Sequence, residues 1–456
     1  MKNGSERGRG LWLLIAILAL LGGCAGNRNM PVPHDPASSG MIEDLRRLPQ
    51  DLQAYVCPDG GEDLLSADRQ ADMNARFDKL YFGPWHAARV SVKPSEAFAI
   101  FGGAKGASMP RGWAENLLPW TRQNWDRLVA NAARESFPSR LDRGITVQAT
   151  VLREAPTFRP RFGNPLKAGE GFPFDMFMYS SLPAGMPVLI VHTSTDGAWA
   201  YVETALVAGW VPAVDVAMTD AVFRRRFEEG EHAVVLQDGV PLRDGEGRFM
   251  CMGNVGTLLP LVALGKDSAT LLVPARDTQG NAVPRLVTVP AASIARKPMP
   301  LTEEALARIG NGMLGQPYGW GGEFGNRDCS QMLRDLFIPF GVWLPRNSSA
   351  QARSWDFQNF SELSPAAKER MILERGKAFA TLLWLPGHIA LYLGEYGGKA
   401  VMFHNIWGLR TERQGREGRY IIGQAVVTSL RPGRELSHVQ DRDGLVSRMR
   451  GMSVLR

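Results

Sequence analysis

The sequence of 456 residues contains only four cysteines and seven histidines. It has no His-Glu-x-x-His segment and no closely spaced cysteine pair, so nothing in it supports a zinc peptidase. The Gly-x-Ser-x-Gly elbow of serine hydrolases and the glycine-rich loop that binds nucleotide phosphates are absent too. We therefore expect neither a metal ion nor a cofactor.

Long apolar runs are also missing. Residues 11–21 form an apolar run of eleven residues after a basic start, whereas a helix needs about twenty to cross a bilayer. The Leu-Gly-Gly-Cys that follows resembles a bacterial lipobox, which predicts that residues 1–23 are a lipoprotein signal peptide and Cys24 is lipidated. An ordinary secretion signal with an incidental cysteine is the alternative. Since residue 25 is Ala and not Asp, we expect the periplasmic side of the outer membrane in a two-membrane bacterium.

The charge pattern points to no nucleic-acid partner. The formal net charge is +6 at pH 7, and basic residues gather in residues 437–456, which we interpret as a solvated basic tail. Residues 24–40 are rich in Pro, Ser, Gly and Asn without periodicity, which predicts a flexible tether behind the lipid anchor. The anchor would make the membrane a partner of the chain.

A glycine-rich loop at residues 318–328 leads into the most informative helix. Asp328 is a good N-cap, and Gln331 stands where a capping-box partner belongs. Apolar residues then recur at helical spacing until Pro339. Cys329 therefore falls in the first turn, where free N–H groups and the helix dipole lower the pKa of a thiol. A buried structural cysteine is the alternative interpretation.

A cysteine nucleophile needs a general base, usually a histidine, and a third group that orients the base. His388 and His404 lie in two strand-like segments joined by a turn-forming stretch. If the hairpin loop is residues 395–397, the two histidines face each other on one side of the sheet, with Cβ atoms about 5 Å apart. Other loops stagger them. The pattern predicts a triad of Cys329, His388 and His404.

Asp-Cys-Ser after a Tyr-x-Trp-Gly-Gly loop, followed by Gly-His-Ile-Ala-Leu-Tyr-Leu-Gly, resembles the NlpC-type cell-wall cysteine peptidases. The resemblance implies a papain-like α+β domain that cleaves peptidoglycan stem peptides, typically between γ-linked D-Glu and the diamino acid. It implies a nucleophilic Cys329, a basic His388 and an orienting His404. The run before His388 departs from the family's Pro-Gly-Asp pattern, which affects the expected rim of the site. The resemblance further implies that substrate is bound by Tyr318, Asp328, Ser330, Ser348 and Ser349.

The rest of the chain predicts a multidomain α+β protein. Residues 41–144 carry helical patterns and are similar to the N-terminal stabilising segment of larger family members. Residues 145–220 contain short β-rich runs and a Gly-Trp-Val motif, and they resemble a bacterial SH3-like barrel. Residues 221–298 read as a degenerate second barrel, and residues 299–436 as the catalytic domain.

The sequence allows two interpretations for some aromatic residues and cysteines. The first barrel's aromatics Trp199, Tyr201 and Trp210 suit either a binding groove or, more commonly, the core. Cys57 and Cys251 would be able to pair in an oxidising periplasm, but two separate buried thiols are preferred.

The predicted activity is cleavage of peptidoglycan stem peptides by a Cys-His-His thiol mechanism. Two alternatives stay open: a non-catalytic peptidoglycan-binding lipoprotein, and a related cysteine amidase or acyltransferase. Some family members require a free N-terminal amine, for which Asp328 would be a fitting counter-ion. The oligomeric state and the choice between intact wall and released peptides are left open by the sequence.

Overall fold

The computed structural model describes residues 41–102, 109–440 and 442–456. The predicted signal peptide, lipidated Cys24 and tether lie outside these residues. In the described ranges, no helix is long and apolar enough to span a membrane.

The N-terminal segment is helical and lies against all the other parts. Ser66 begins its longest helix by accepting a hydrogen bond from the Arg69 amide at 3.3 Å. Phe77 packs into a core shared with the first barrel, while Leu52 enters the catalytic core, so this segment braces both. Its helices are α1 (Glu43–Arg47), α2 (Ala67–Tyr81), α3 (Gly83–His86), α4 (Pro94–Ala97) and α5 (Arg122–Asn131).

The first barrel is a seven-stranded antiparallel sheet with the order β3-β2-β6-β5-β4-β1-β7. Trp199, Tyr201 and Trp210 are all buried in its core, so the groove interpretation of these aromatics is wrong. The connection from β2 to β3 is long and faces the catalytic domain. The strands are β1 (Asp142–Thr146), β2 (Thr150–Arg153), β3 (Met178–Leu182), β4 (Pro187–Thr193), β5 (Trp199–Glu203), β6 (Ala208–Pro212) and β7 (Val216–Met218).

The second barrel follows helix α6 (Ala221–Glu228) and has a five-stranded sheet, β13-β12-β11-β8-β14, with a separate β9-β10 hairpin. Cys251 is buried in its core, whereas Cys57 is exposed, and both are free thiols. The two cysteines are therefore separate, as preferred, but only one is buried. The strands are β8 (His232–Val235), β9 (Val240–Arg243), β10 (Phe249–Gly253), β11 (Leu258–Leu264), β12 (Ser268–Arg276), β13 (Ala282–Pro290) and β14 (Ile294–Arg296).

The catalytic domain packs helices on a six-stranded sheet with the order β15-β20-β16-β17-β18-β19. Helix α8 buries its apolar residues against β17, where Leu333 and Leu336 share a core with Ile389 and Leu391. The elements are α7 (Glu303–Asn311), α8 (Cys329–Phe337), α9 (Ser348–Gln351), β15 (Asp356–Asn359), α10 (Pro365–Arg375), β16 (Thr381–Leu385), β17 (His388–Tyr396), β18 (Lys399–Arg413), β19 (Arg416–Ser429), α11 (Gly444–Arg448) and β20 (Gly451–Val454).

The interpretation of residues 437–456 as a solvated tail is wrong. Strand β20 pairs with β15 on one side and β16 on the other, so it lies inside the sheet. Met449, Met452 and Val454 are buried, and burial of these apolar side chains outweighs the cost of ordering a short basic segment. The catalytic domain therefore includes the C-terminal residues that the structure describes.

Candidate active site

The glycine-rich loop brings the catalytic domain against strand β3 of the first barrel. Gly321 and Gly322 have φ angles of 65° and 93°, which side chains rarely adopt. A Cβ on Gly321 would lie 2.8 Å from the Met178 Cβ, and one on Gly322 would lie 2.4 Å from the Ser181 Oγ. The glycine pair is thus required both by the turn and by the close approach of the barrel.

Cys329 is the first residue of helix α8, as predicted. The Asp328 Oδ1 accepts a hydrogen bond from the Gln331 amide at 2.8 Å, which confirms the N-cap. The expected capping box is wrong, because the Gln331 Nε2 donates to the Ser181 Oγ of β3 at 2.6 Å and the Gln331 Oε1 has no hydrogen-bond partner. The Gln331 side chain therefore bonds to the barrel and not to the first residue of its own helix.

His388 and His404 meet on one side of the sheet, but not in the predicted register. The turn is at Gly397–Gly398, and Leu391 pairs with Phe403. The turn pairs Tyr396 with Lys399, which is three residues from the predicted register, and a bulge between Tyr392 and Gly394 reduces the shift to two. A shift of two keeps each side chain on its face. The rings therefore meet diagonally, with 2.8 Å between the His388 Nε2 and the His404 Nδ1.

A fourth residue, Thr428 on β19, fixes the proton positions in this chain. Its hydroxyl donates to the Ser429 carbonyl at 2.8 Å, so its oxygen accepts from the His404 Nε2–H at 3.0 Å. The His404 Nδ1 then offers a lone pair and accepts the proton of the His388 Nε2. His388 is left with an unprotonated Nδ1, which is the form that a general base needs.

The thiol of Cys329 lies where α8 meets the start of β17. Backbone amides of Ser330 and of Ile389, the residue after His388, point hydrogen bonds at the sulfur. The side chain is 6% exposed. The structure therefore brings Cys329, His388 and His404 to one place at the junction of helix and sheet.

Burial, rather than the helix dipole, dominates the electrostatics. Desolvation, helped by the neighbouring Asp328 charge, raises the pKa of Cys329 to about 12. Desolvation, helped by Arg448, lowers the pKa of His388 to about 4. The prediction of a lowered thiol pKa is wrong, because burial outweighs the effect of the helix N-terminus.

Asp328 is held in a buried ion pair with Arg346, at 2.7 Å. Although burial raises the pKa of Asp328, the Arg346 charge and the hydrogen bonds outweigh burial and hold that pKa below its ordinary value. Ser330 donates to Asp328 at 2.9 Å and accepts from Arg346 at 3.0 Å. The carboxylate predicted to be a counter-ion for a substrate amine thus already has an internal partner, and Ser330 completes that pair.

The other predicted substrate-binding residues separate into two groups. Tyr318 lies at the site, since burial and the neighbouring Cys329 and Asp328 raise the pKa of its hydroxyl well above the usual value. Ser348 and Ser349 begin the short helix α9, where the Ser349 Oγ accepts from the Arg353 guanidinium at 2.6 Å. The Ser349 side chain is thus bonded within its own helix, and a substrate role for the two serines stays a prediction.

An aromatic cluster that the sequence did not indicate covers Tyr318. The ring centroid of Trp407, on β18, lies 6.0 Å from that of Tyr318. Phe174, from the β2–β3 connection of the first barrel, lies 5.3 Å from Trp320 and 6.1 Å from Trp407. One wall of the site is therefore supplied by the barrel.

Family models match four parts of the chain. Residues 315–420 match the NlpC/P60 family. They form an NlpC/P60 domain. Residues 13–137 match the N-terminal NLPC_P60 stabilising domain, and residues 160–212 and 220–266 match SH3 domains of the SH3b1 and SH3b2 types. The chain is thus a cysteine peptidase with the domain order that its sequence predicted, and the NlpC/P60 domain carries the Cys329 site.

A solved structure agrees in fold over most of the chain. An NlpC/P60 endopeptidase from Photobacterium damselae subsp. piscicida is similar with a TM-score of 0.79 and 24% identity, covering 89% of this chain and 97% of its own. An NlpC/P60 family protein from Bacillus cereus ATCC 10987 aligns with a TM-score of 0.47 and 16% identity, covering 68% of this chain and 99% of its own. No curated protein sequence gives a significant match.

Proposed function

We propose that this protein hydrolyses peptidoglycan stem peptides between γ-linked D-Glu and the diamino acid, with Cys329 as nucleophile. The observation that carries the proposal is the directed chain from Thr428 through His404 to His388, which leaves a lone pair on the His388 Nδ1. The cell-wall substrate and the bond come from the resemblance to the NlpC/P60 family.

In the proposed mechanism the Cys329 proton moves to the His388 Nδ1 as the sulfur attacks the scissile carbonyl. Because burial disfavours both the thiolate and the imidazolium, we place this transfer together with the attack and not before it. The imidazolium is held in place by the neutral His404.

The oxyanion lies at the N-terminus of α8, whose first N–H groups have no intrahelical acceptor. The Cys329 N–H and the Tyr318 hydroxyl are its donors. His388 then protonates the leaving amine, the C–N bond breaks, and a thioester forms. Water, deprotonated by His388, hydrolyses the thioester and regenerates the thiol.

The test is mass spectrometry of stem peptides and of intact sacculi after incubation with the chain from residue 41 onward. We expect a cut after D-Glu that disappears in Cys329→Ala and persists in Cys57→Ala, the exposed-thiol control. A different cut, such as cleavage of the amide bond that joins the stem peptide to the sugar, would contradict the bond assignment. Retention on sacculi without any cut would favour a non-catalytic binding protein.

The anchor is a separate part of the proposal, in which Cys24 is lipidated and holds the protein on the periplasmic side of the outer membrane. Cells fed labelled palmitate should incorporate label into the wild type but not into Cys24→Ser. Label in the variant, or an unlabelled wild type, would overturn the lipoprotein interpretation.

A further inference from the structure

A cavity of about 840 Å³ lies next to the aromatic cluster, between the first barrel and the tip of the β18–β19 hairpin. The barrel contributes residues 166–170 of its β2–β3 connection, and the hairpin contributes the other wall. The charged residues that line the cavity are Lys167, Glu170, Arg410, Arg416, Glu417 and Arg419.

The lining carries four cationic side chains and two carboxylates, so its charge is net positive. Arg419 pairs with Glu417 at 2.7 Å, and Lys167 lies 3.7 Å from Glu170. The second Glu170 oxygen accepts from the Asn164 amide at 2.7 Å, so that carboxylate also serves its own loop. Two guanidinium groups remain in excess.

Those two guanidinium groups belong to Arg410 and Arg416, which form no ion pair within the described part of the chain. Arg410 also stands directly opposite Arg419 in the antiparallel ladder. Like charges in directly opposed positions are unfavourable, and a bound anion removes that cost. Arg419 is held against the barrel, because a Cβ on Gly169 would lie 2.4 Å from its Nη2.

Both walls of the cavity continue into the active site. On the hairpin, Trp407 lies three residues before Arg410, a distance of about 10 Å along a strand, and packs on Tyr318. On the barrel, Phe172 follows residues 166–170 and lies 6.3 Å from Trp407. The aromatic cluster therefore links the cavity to the wall of the active site.

We propose that this cavity is a subsite that binds a carboxylate of the substrate on the diaminopimelate side of the scissile bond. The inference rests on the proposed function, because it assigns an end of the same peptide substrate. Arg410 and Arg416 supply guanidinium groups, whose planar pairs of N–H donors match the two oxygens of a carboxylate.

The test is calorimetric binding to the Cys329→Ala protein, so that it does not depend on which bond is cut. The two probes are the stem tetrapeptide L-Ala-γ-D-Glu-meso-diaminopimelate-D-Ala and the same peptide with its diaminopimelate and D-Ala carboxyl groups as carboxamides. We expect the free acid to bind about tenfold more tightly than the amide, and we expect Arg410→Gln with Arg416→Gln to remove this difference.

A matched control removes two exposed charges elsewhere, with Arg226→Gln and Arg285→Gln, and should keep the preference for the acid. Equal binding of acid and amide by the parent protein, or an unchanged preference in the Arg410/Arg416 variant, would overturn the subsite. If the variant lost only its binding to phosphatidylglycerol vesicles, the cavity would be a lipid-binding surface. That result would also overturn the subsite. Failure of the proposed function can be told apart from failure of the subsite, because the wild-type protein would then leave the tetrapeptide uncut.

Discussion

Replacing Thr428 with valine should slow catalysis while leaving the fold and substrate binding nearly intact. The Thr428 hydroxyl is fully buried, and it is the acceptor that fixes the His404 Nε2–H. Valine has the same shape but no oxygen, so the His404 Nε2–H loses its acceptor at a cost of about 1–3 kcal/mol. The tautomer that presents the His404 Nδ1 lone pair to His388 is then no longer enforced.

If that free energy is lost from the transition state, kcat falls about 5- to 150-fold, because each 1.36 kcal/mol corresponds to about a factor of ten. KM should change little, because Thr428 lies behind the two histidines and not in the cleft. The assay is steady-state cleavage of a stem tetrapeptide, accompanied by thermal unfolding to show that the variant is folded.

Thr428→Ser is the matched control, because it keeps the hydroxyl and removes one methyl group. We expect it to restore most of the activity. A folded Thr428→Val protein with kcat within twofold of the wild type would refute the relay from Thr428 to His388. A valine variant whose only defect is a raised KM would refute it as well.

Three further predictions follow from the buried charges and from the sheet. Because burial raises the pKa of Cys329 to about 12, its alkylation by iodoacetamide in the free enzyme should accelerate continuously above pH 9; a plateau below pH 8 would contradict the neutral resting thiol. Arg346→Met leaves the Asp328 carboxylate buried without its partner and should lower the free energy of unfolding by about 3–5 kcal/mol in urea titrations at pH 7. Since the pKa of Asp328 is lowered by folding, its contribution is present above the unfolded pKa and is lost as pH falls through the folded value, so wild type and variant should converge in acid; a constant gap would contradict this assignment. Deletion of residues 449–456 removes a central strand and should abolish soluble expression, whereas a soluble, active product would show that β20 is dispensable.

The parts of the site that the sequence predicted are those determined locally. Asp328 caps α8 through an amide only three residues away, so the position of Cys329 at the start of the helix could be inferred from the residues around it. The side of the sheet shared by His388 and His404 was also predicted correctly, but only because a bulge between Tyr392 and Gly394 offsets the odd shift made by the two-residue turn. Their register was not, since it depends on which residues form the turn, and Gly397–Gly398 form a shorter one than expected.

The predictions that failed depend on contacts between distant segments. Residues 437–456 look like a charged tail by composition, but Met452 and Val454 are buried because strands far away in the sequence present both edges for pairing. The pKa of Cys329 likewise follows from how deeply the fold buries it, which overrides the local helix effect.

The first barrel is best understood as a structural part of the active site and not as a tethered binding module. The Ser180 Oγ accepts from the Arg346 Nε at 2.9 Å, and Arg346 in turn neutralises the Asp328 that caps the nucleophile's helix. The barrel residue Ser181 bonds Gln331 in the same helical turn. Two neighbouring barrel serines therefore reach the first turn of α8 by separate routes, so a displacement of the barrel would disturb the position of Cys329 itself. The barrel thus helps to determine the geometry of catalysis.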